Sequence, residues 1–285
     1  MNLRAIVPIL ILAACSEYGI NPETADEVGS RPVDDTALPA DTAELQESGA
    51  PVAVCDVSPN PVTPPFEAAT WSGADSYDPD GIPITDYNWR LTSAPSGSAV
   101  TMPSGQANRA GFTPDLAGDY VGTLIVTNAD GVVSAPCEVT LASTPAQDLW
   151  VEMFWAHAND DMDLHLVRST GNLNSSMDCY YMNCTTGSGL DWGTSGDPAD
   201  NPRLDLDDIP QTGPENINIS DPEATTYTVA VHDYPGTVYQ GANDVTVNVY
   251  LSGSLVWTDT RTMTGEDDVE YFAEIDWTSG TVAPL

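Results

Sequence analysis

Five side chains able to hold a cation or move a proton alternate with apolar residues in three short segments. In DLHLV, Asp163 and His165 alternate with Leu164 and Leu166. In RLDLDD, Asp205 and Asp207 alternate with Leu204 and Leu206, and in TYTVAVHDY His232 opposes Val229 and Val231. A period of two sends successive side chains to opposite faces of a strand, so neighbouring strands would gather these groups into one Asp/His patch. Carboxylates raise the pKa of a nearby imidazole, and a divalent cation replaces that proton. The same groups suit acid–base hydrolysis. The plainer reading is the wet face of a sandwich, where polar residues belong. Asp75, Asp78 and Asp80 are a weaker calcium candidate, since calcium takes about 6–8 oxygen ligands and tolerates loop geometry. Asp78-Pro79-Asp80-Gly81 is equally a turn built from turn-favouring residues.

Composition narrows the chemistry. The 285 residues carry 43 acidic groups against seven arginines and no lysine, a formal charge of −36. Phosphate neutralisation needs clustered basic residues, so nucleic acid is excluded as a partner, and docking on anionic headgroups is disfavoured. No G-x-S-x-G elbow, H-E-x-x-H pair or phosphate-cradling glycine loop occurs. Histidine is limited to His157, His165 and His232. Among so many acids a close carboxylate pair is inevitable, so the paired-acid signature of glycosidases carries no weight. The expectation is a non-catalytic binding, adhesion or spacer protein, with calcium as the candidate cofactor. A hydrolase using the Asp/His patch and a purely structural envelope protein are the alternatives.

The elements that must position these groups are strands. Pro and Gly number 23 and 22, and short alternating runs rich in Val, Thr and Tyr lie between turn clusters, with no amphipathic helical pattern. In DYVGTLIVTN, Tyr120, Leu124 and Val126 share one face, and Val121, Ile125 and Thr127 the other. Residues 51–143 read as one β-sandwich and residues 146–285 as a second, jelly-roll-like one, giving an all-β chain of two sandwiches in series. Residues 15–50 hold nine acids, one arginine and no apolar period. Such a segment cannot repay its ordering entropy and reads as a disordered linker, with a reach of roughly 30–35 Å. Residues 1–14, with Arg4 ahead of an apolar run, read as a signal peptide, too short to span a bilayer.

Apart from Cys15, four cysteines remain, which allow three pairings. Spacing suggests Cys55 with Cys137 inside the first sandwich and Cys179 with Cys184 across a short loop; a metal site is the rival for CYYMNC. Trp150, Trp155, Trp192, Trp257 and Trp277 offer a platform for sugar stacking, with Trp192 in LDWGTSGDP the one expected to be exposed.

Three resemblances add to this. Leu12-Ala13-Ala14-Cys15 resembles the bacterial lipobox, which implies acylation of Cys15, export, and a membrane anchor on the outer membrane or cell surface. SYDPDGIPITDYNWRL and FTPDLAGDYVGTLIVTNADG resemble the two halves of a polycystic-kidney-disease (PKD) repeat. That implies an immunoglobulin-like sandwich with Trp89 in its core, acting as a spacer or as a glycan- or protein-contact module. The ordered series DMDLHLVRSTGN, DCYYMN, DNPRLDLDD, GPENINI and YTVAVHDY resembles the YfaP-like sandwich domains, a bacterial family without an assigned reaction. It implies Asp161, Asp163, His165, Asp205, Asp207, Glu215 and His232 as the matching polar positions. Gly213-Pro214-Glu215 also reads as architecture, Gly and Pro turning the chain and Glu215 capping loop amides.

Overall fold

The structure, a computed structural model, describes residues 49–102, 108–185 and 189–285. The signal peptide, Cys15 and nearly all of the acidic linker lie outside the described residues. Among the described residues there is no helix; every element is a strand. The described residues form one compact unit.

Six strands build the first sandwich: β1 (Asp56–Ser58), β2 (Ala69–Ser72), β3 (Ile84–Ser93), β4 (Asn108–Phe112), β5 (Gly118–Asn128) and β6 (Cys137–Ser143). They form two antiparallel sheets of three, β1-β2-β4 and β3-β5-β6. The alternation along β5 decides which residues meet between them: Tyr120, Leu124 and Val126 are fully buried and pack with Trp71, Trp89 and Phe112. Trp71 meets Trp89 edge-on at 5.7 Å and Phe112 at 5.5 Å. Gly122 sits where Trp71 crosses β5; a Cβ there would fall 2.3 Å from the indole. The Tyr120 hydroxyl donates to the Leu116 carbonyl four residues upstream (3.0 Å), a corner also found in immunoglobulin-type sandwiches. Cys55, just before β1, is bonded to Cys137 at the start of β6, so the bridge ties the first strand of one sheet to the last strand of the other.

Ten strands build the second sandwich: β7 (Leu149–Trp155), β8 (Met162–Arg168), β9 (Asp178–Cys179), β10 (Arg203–Leu206), β11 (Glu215–Ile219), β12 (Thr226–Asp233), β13 (Asn243–Leu251), β14 (Ser254–Met263), β15 (Val269–Asp276) and β16 (Thr281–Pro284). Their order is β10-β11-β7-β13-β14 in one sheet and β16-β15-β12-β8-β9 in the other. Leu164, Leu166, Val229, Val231, Ile217 and Val247 point between the sheets into a dry core.

The outward face of β8 is not wet, and here the expectation is corrected. Asp163 and His165 alternate outward from the core leucines, yet each is only 2% exposed. The segment after β8 folds back through the Cys179–Cys184 bridge and lays Tyr180 on the His165 ring at 5.1 Å. The outer face of the other sheet meets the first sandwich. There Trp150 and Tyr250 cluster with Ala117, and Phe154 lies against Gly97. The tryptophan platform fails for the same reason. Trp150, Trp155 and Trp192 are buried, Trp192 donating its indole N–H to the Ser176 carbonyl, while Trp257 and Trp277 pack on the core.

Glu152 is the polar centre of the joint between the sandwiches. Its Oε1 accepts the Ala117 N–H (2.9 Å), and its Oε2 accepts from Asn248 (3.3 Å) and the Tyr250 hydroxyl (3.4 Å). Burial pushes its carboxyl up to about 7, and the charge of Asp115 pushes the same way. A carboxyl raised above its unfolded value of 4.5 stabilises the fold most fully below that value. The contribution is lost as pH climbs through about 7. Glu152→Gln keeps the shape without the charge. The variant should therefore exceed the parent in stability at pH 8 by on the order of 3 kcal/mol. Urea melts at pH 8 and pH 5 check this, the gap closing at the lower pH.

Candidate metal centre

The antiparallel connections that lead from β7 to β8, β10 to β11, β12 to β13 and β14 to β15 all emerge at one end of the second sandwich. They and the strand ends beside them carry an unusual density of acid: Asp160 and Asp161, Asp207 and Asp208, Asp233 at the end of β12, then Glu266, Asp267 and Asp268. One carboxylate oxygen from each of Asp161, Asp163 and Glu215 lies within 4.8 Å of the other two. Those three residues are 8%, 2% and 1% exposed.

Local structure explains why Glu215 turns inward. The short β9 pairs only with Leu166 and Val167 of β8. The Leu164 N–H thus has no strand neighbour on that side, and Glu215 Oε2 reaches across from β11 to accept it (2.8 Å). Gly213 makes the approach possible, at φ 84° with its α-carbon so close that a Cβ would lie 3.0 Å from the Met153 carbonyl. Its N–H donates to Asp208 Oδ2 (2.8 Å). The Gly-Pro-Glu motif is therefore architecture that delivers a carboxylate to the centre.

The electrostatics follow from crowding. Burial pushes the Asp161 carboxyl up to about 7, with the charges of Asp163, Asp207, Asp160 and Asp208 adding to it. Burial raises Glu215 well above the ordinary glutamate value, and raises Asp207, with the charge of Asp163 pushing the same way. Two like charges 4 Å apart repel by about 4 kcal/mol at an effective dielectric of 20, so such a group is costly without a counter-charge. Asp161 Oδ1 and Asp163 Oδ2 are buried with no hydrogen-bond donor. His232 is the one imidazole at the centre among the described residues, its Nδ1 3.6 Å from Asp163 Oδ2 and its Nε2 3.0 Å from Asp267 Oδ1. Asp163 foremost, then Asp267, raise its pKa.

Of the seven positions expected from sequence, five converge: Asp161, Asp163, Asp207, Glu215 and His232. Two do not. His165 is turned away to Asp178, its Nδ1 2.8 Å from Oδ2, in a buried pair. Asp205 sits on the opposite sheet, ion-paired to Arg203 and accepting from Asn218 (2.7 Å). A register shift between Leu204 and Leu206 breaks the simple alternation that had grouped Asp205 with Asp207. In the first sandwich the geometry accords with the turn reading of DPDG. Asp78 accepts from Asn128 (2.8 Å) and from the Asp80 N–H (2.9 Å), Asn128 foremost lowering its pKa. Among the described residues, Asp75, Asp78 and Asp80 do not bring three carboxylate oxygens together. DPDG is a turn, closed by the Gly81 N–H on the Asp78 carbonyl.

An open cleft of about 330 Å³ adjoins the centre, and Asp161 belongs to both. Ile209, Tyr234 and Val238 line it and are 58%, 40% and 89% exposed. The donor set is hard oxygen, Asp161 from a connection and Asp163 and Glu215 from strands β8 and β11, and hard oxygen suits calcium. No protein-family model matches the chain, and no curated protein matches it.

Proposed function

We propose that this chain is an exported, lipid-anchored surface or periplasmic protein with a non-catalytic role. Its PKD-like sandwich spaces or contacts, and the acidic end of its YfaP-like sandwich recognises a partner through bound calcium. The observation that carries this reading is the double membership of Asp161, which stands in the buried carboxylate triad and in the wall of the apolar cleft. A cation held there by Asp161, Asp163 and Glu215 would present open coordination positions to oxygens of a ligand in the cleft, while Ile209 and Val238 cover its apolar part. Glycans and acidic surface proteins offer such oxygens. The two disulfides are compatible with export. A hydrolase is less well supported, because His165, one of the two imidazoles it would use, is buried against Asp178.

The mature protein on glycan and surface-protein arrays tests the reading. Retention in calcium that is lost in chelator is expected. Turnover of a substrate without any retained ligand would overturn it, and mass spectrometry finding no acyl chains on Cys15 would remove the anchor.

A further inference from the structure

A second group of acids at the same end lies outside the set that sequence singled out. Asp160 comes from the connection after β7, Asp233 closes β12, and Glu266 lies in the connection after β14; one oxygen of each lies within 4.8 Å of the others. Asp160 is fixed in place: Asn243 donates to its Oδ2 (2.8 Å) and the Thr237 hydroxyl to its Oδ1 (3.1 Å). Asn243 is itself fully buried, and its Oδ1 accepts the N–H groups of Ala156 and His157. The fold thus spends a buried amide on orienting one carboxylate of the group.

Asp233 points to a ligand. It is 3% exposed, and its Oδ1 is buried with no donor in reach. Glu266 Oε1 is buried and equally without a donor. Unpartnered carboxylate oxygens are expensive to bury, and a cation is what satisfies several at once. Among the described residues, no arginine is paired to any of the three.

We infer that Asp160, Asp233 and Glu266 form a second divalent-cation site of the calcium type, next to the first. All three donors are oxygen, which excludes a thiolate or imidazole preference and favours a hard cation. Asp160 and Asp161 are consecutive, so one short connection supplies a ligand to each site. The inference is independent of any partner in the cleft.

Calcium bound per full mature chain, counted by equilibrium dialysis at saturating free calcium, tests this. Two ions are expected in the parent, one in Asp233→Asn and one in Asp163→Asn. Glu266→Gln, on a more exposed residue, serves as the second variant should Asp233→Asn fail to fold. It should weaken one of the two sites by about tenfold or more with circular dichroism unchanged. One ion in the parent, kept in Asp233→Asn and in Glu266→Gln but lost in Asp163→Asn, would overturn the second site and leave the first standing. Two ions that persist in both Asp233→Asn and Glu266→Gln would overturn it as well, and no ion in the parent would remove both sites.

Discussion

Calcium at a hundred times its dissociation constant should raise the melting temperature of the two-sandwich unit by roughly 10–20 °C if both acidic sites fill. A ligand that binds only the native form stabilises by about 2.7 kcal/mol per site at that excess, and a fold of this size gains about 2–4 °C per kcal/mol. The cause is local. Without the ion, each group crowds carboxylates together, and Asp161, Asp163, Asp233 and Glu266 each bury an oxygen that accepts no hydrogen bond among the described residues. With it, the same repulsion becomes coordination. Chelator should return the melt to its lower value, and Asp163→Asn should remove about half of the gain. Scanning calorimetry in calcium, then in chelator, reads all three outcomes. A melt indifferent to calcium would mean that the fold carries these charges uncompensated.

Loss of the Cys55–Cys137 bridge should cost about 4–5 kcal/mol, a large share of the roughly 5–15 kcal/mol that stabilises a typical domain. The two cysteines are 82 residues apart, so the bridge removes far more freedom from the unfolded chain than the five-residue Cys179–Cys184 closure, which is worth about 2 kcal/mol on the same model. The first sandwich depends on it, because each of its sheets has only three strands and β1 is three residues long. Paired Cys55→Ala and Cys137→Ala, compared with paired Cys179→Ala and Cys184→Ala in urea, should separate the two effects. Equal losses would show that chain closure does not govern the first sandwich.

The strands, their inward faces and both cysteine pairs were legible from sequence because each depends on neighbours along the chain or on simple spacing. Leu164 and Leu166 had to share a face, whatever covered the other side. What covered it was not legible. The burial of Asp163 and His165 depends on a segment that returns over β8 and is closed by a bridge, and that of Trp150 and Glu152 on the first sandwich. Alternation reports two faces and cannot tell water from protein beyond them. Asp205 was misgrouped because a bulge resets the period within two residues.

The second acidic group was missed for a different reason. Its members sit at strand ends and in connections, where no periodicity operates, and 43 acids hide any cluster. One signal was present: in an antiparallel sandwich alternate connections share an end. The runs Asp160-Asp161, Asp207-Asp208 and Glu266-Asp267-Asp268, with Asp233 closing its strand, fall at corresponding positions. Reading connections as a set, as strands are read as faces, would have brought Asp160, Asp233 and Glu266 forward.

Crystals of the mature chain grown in calcium, examined by anomalous scattering, would test the metal centre most directly. The expected result is a peak enclosed by Asp161, Asp163 and Glu215, with carboxylate oxygens refined at about 2.3–2.6 Å from it. Those three side chains bonded only to water and protein, with calcium bound elsewhere or nowhere, would contradict the account.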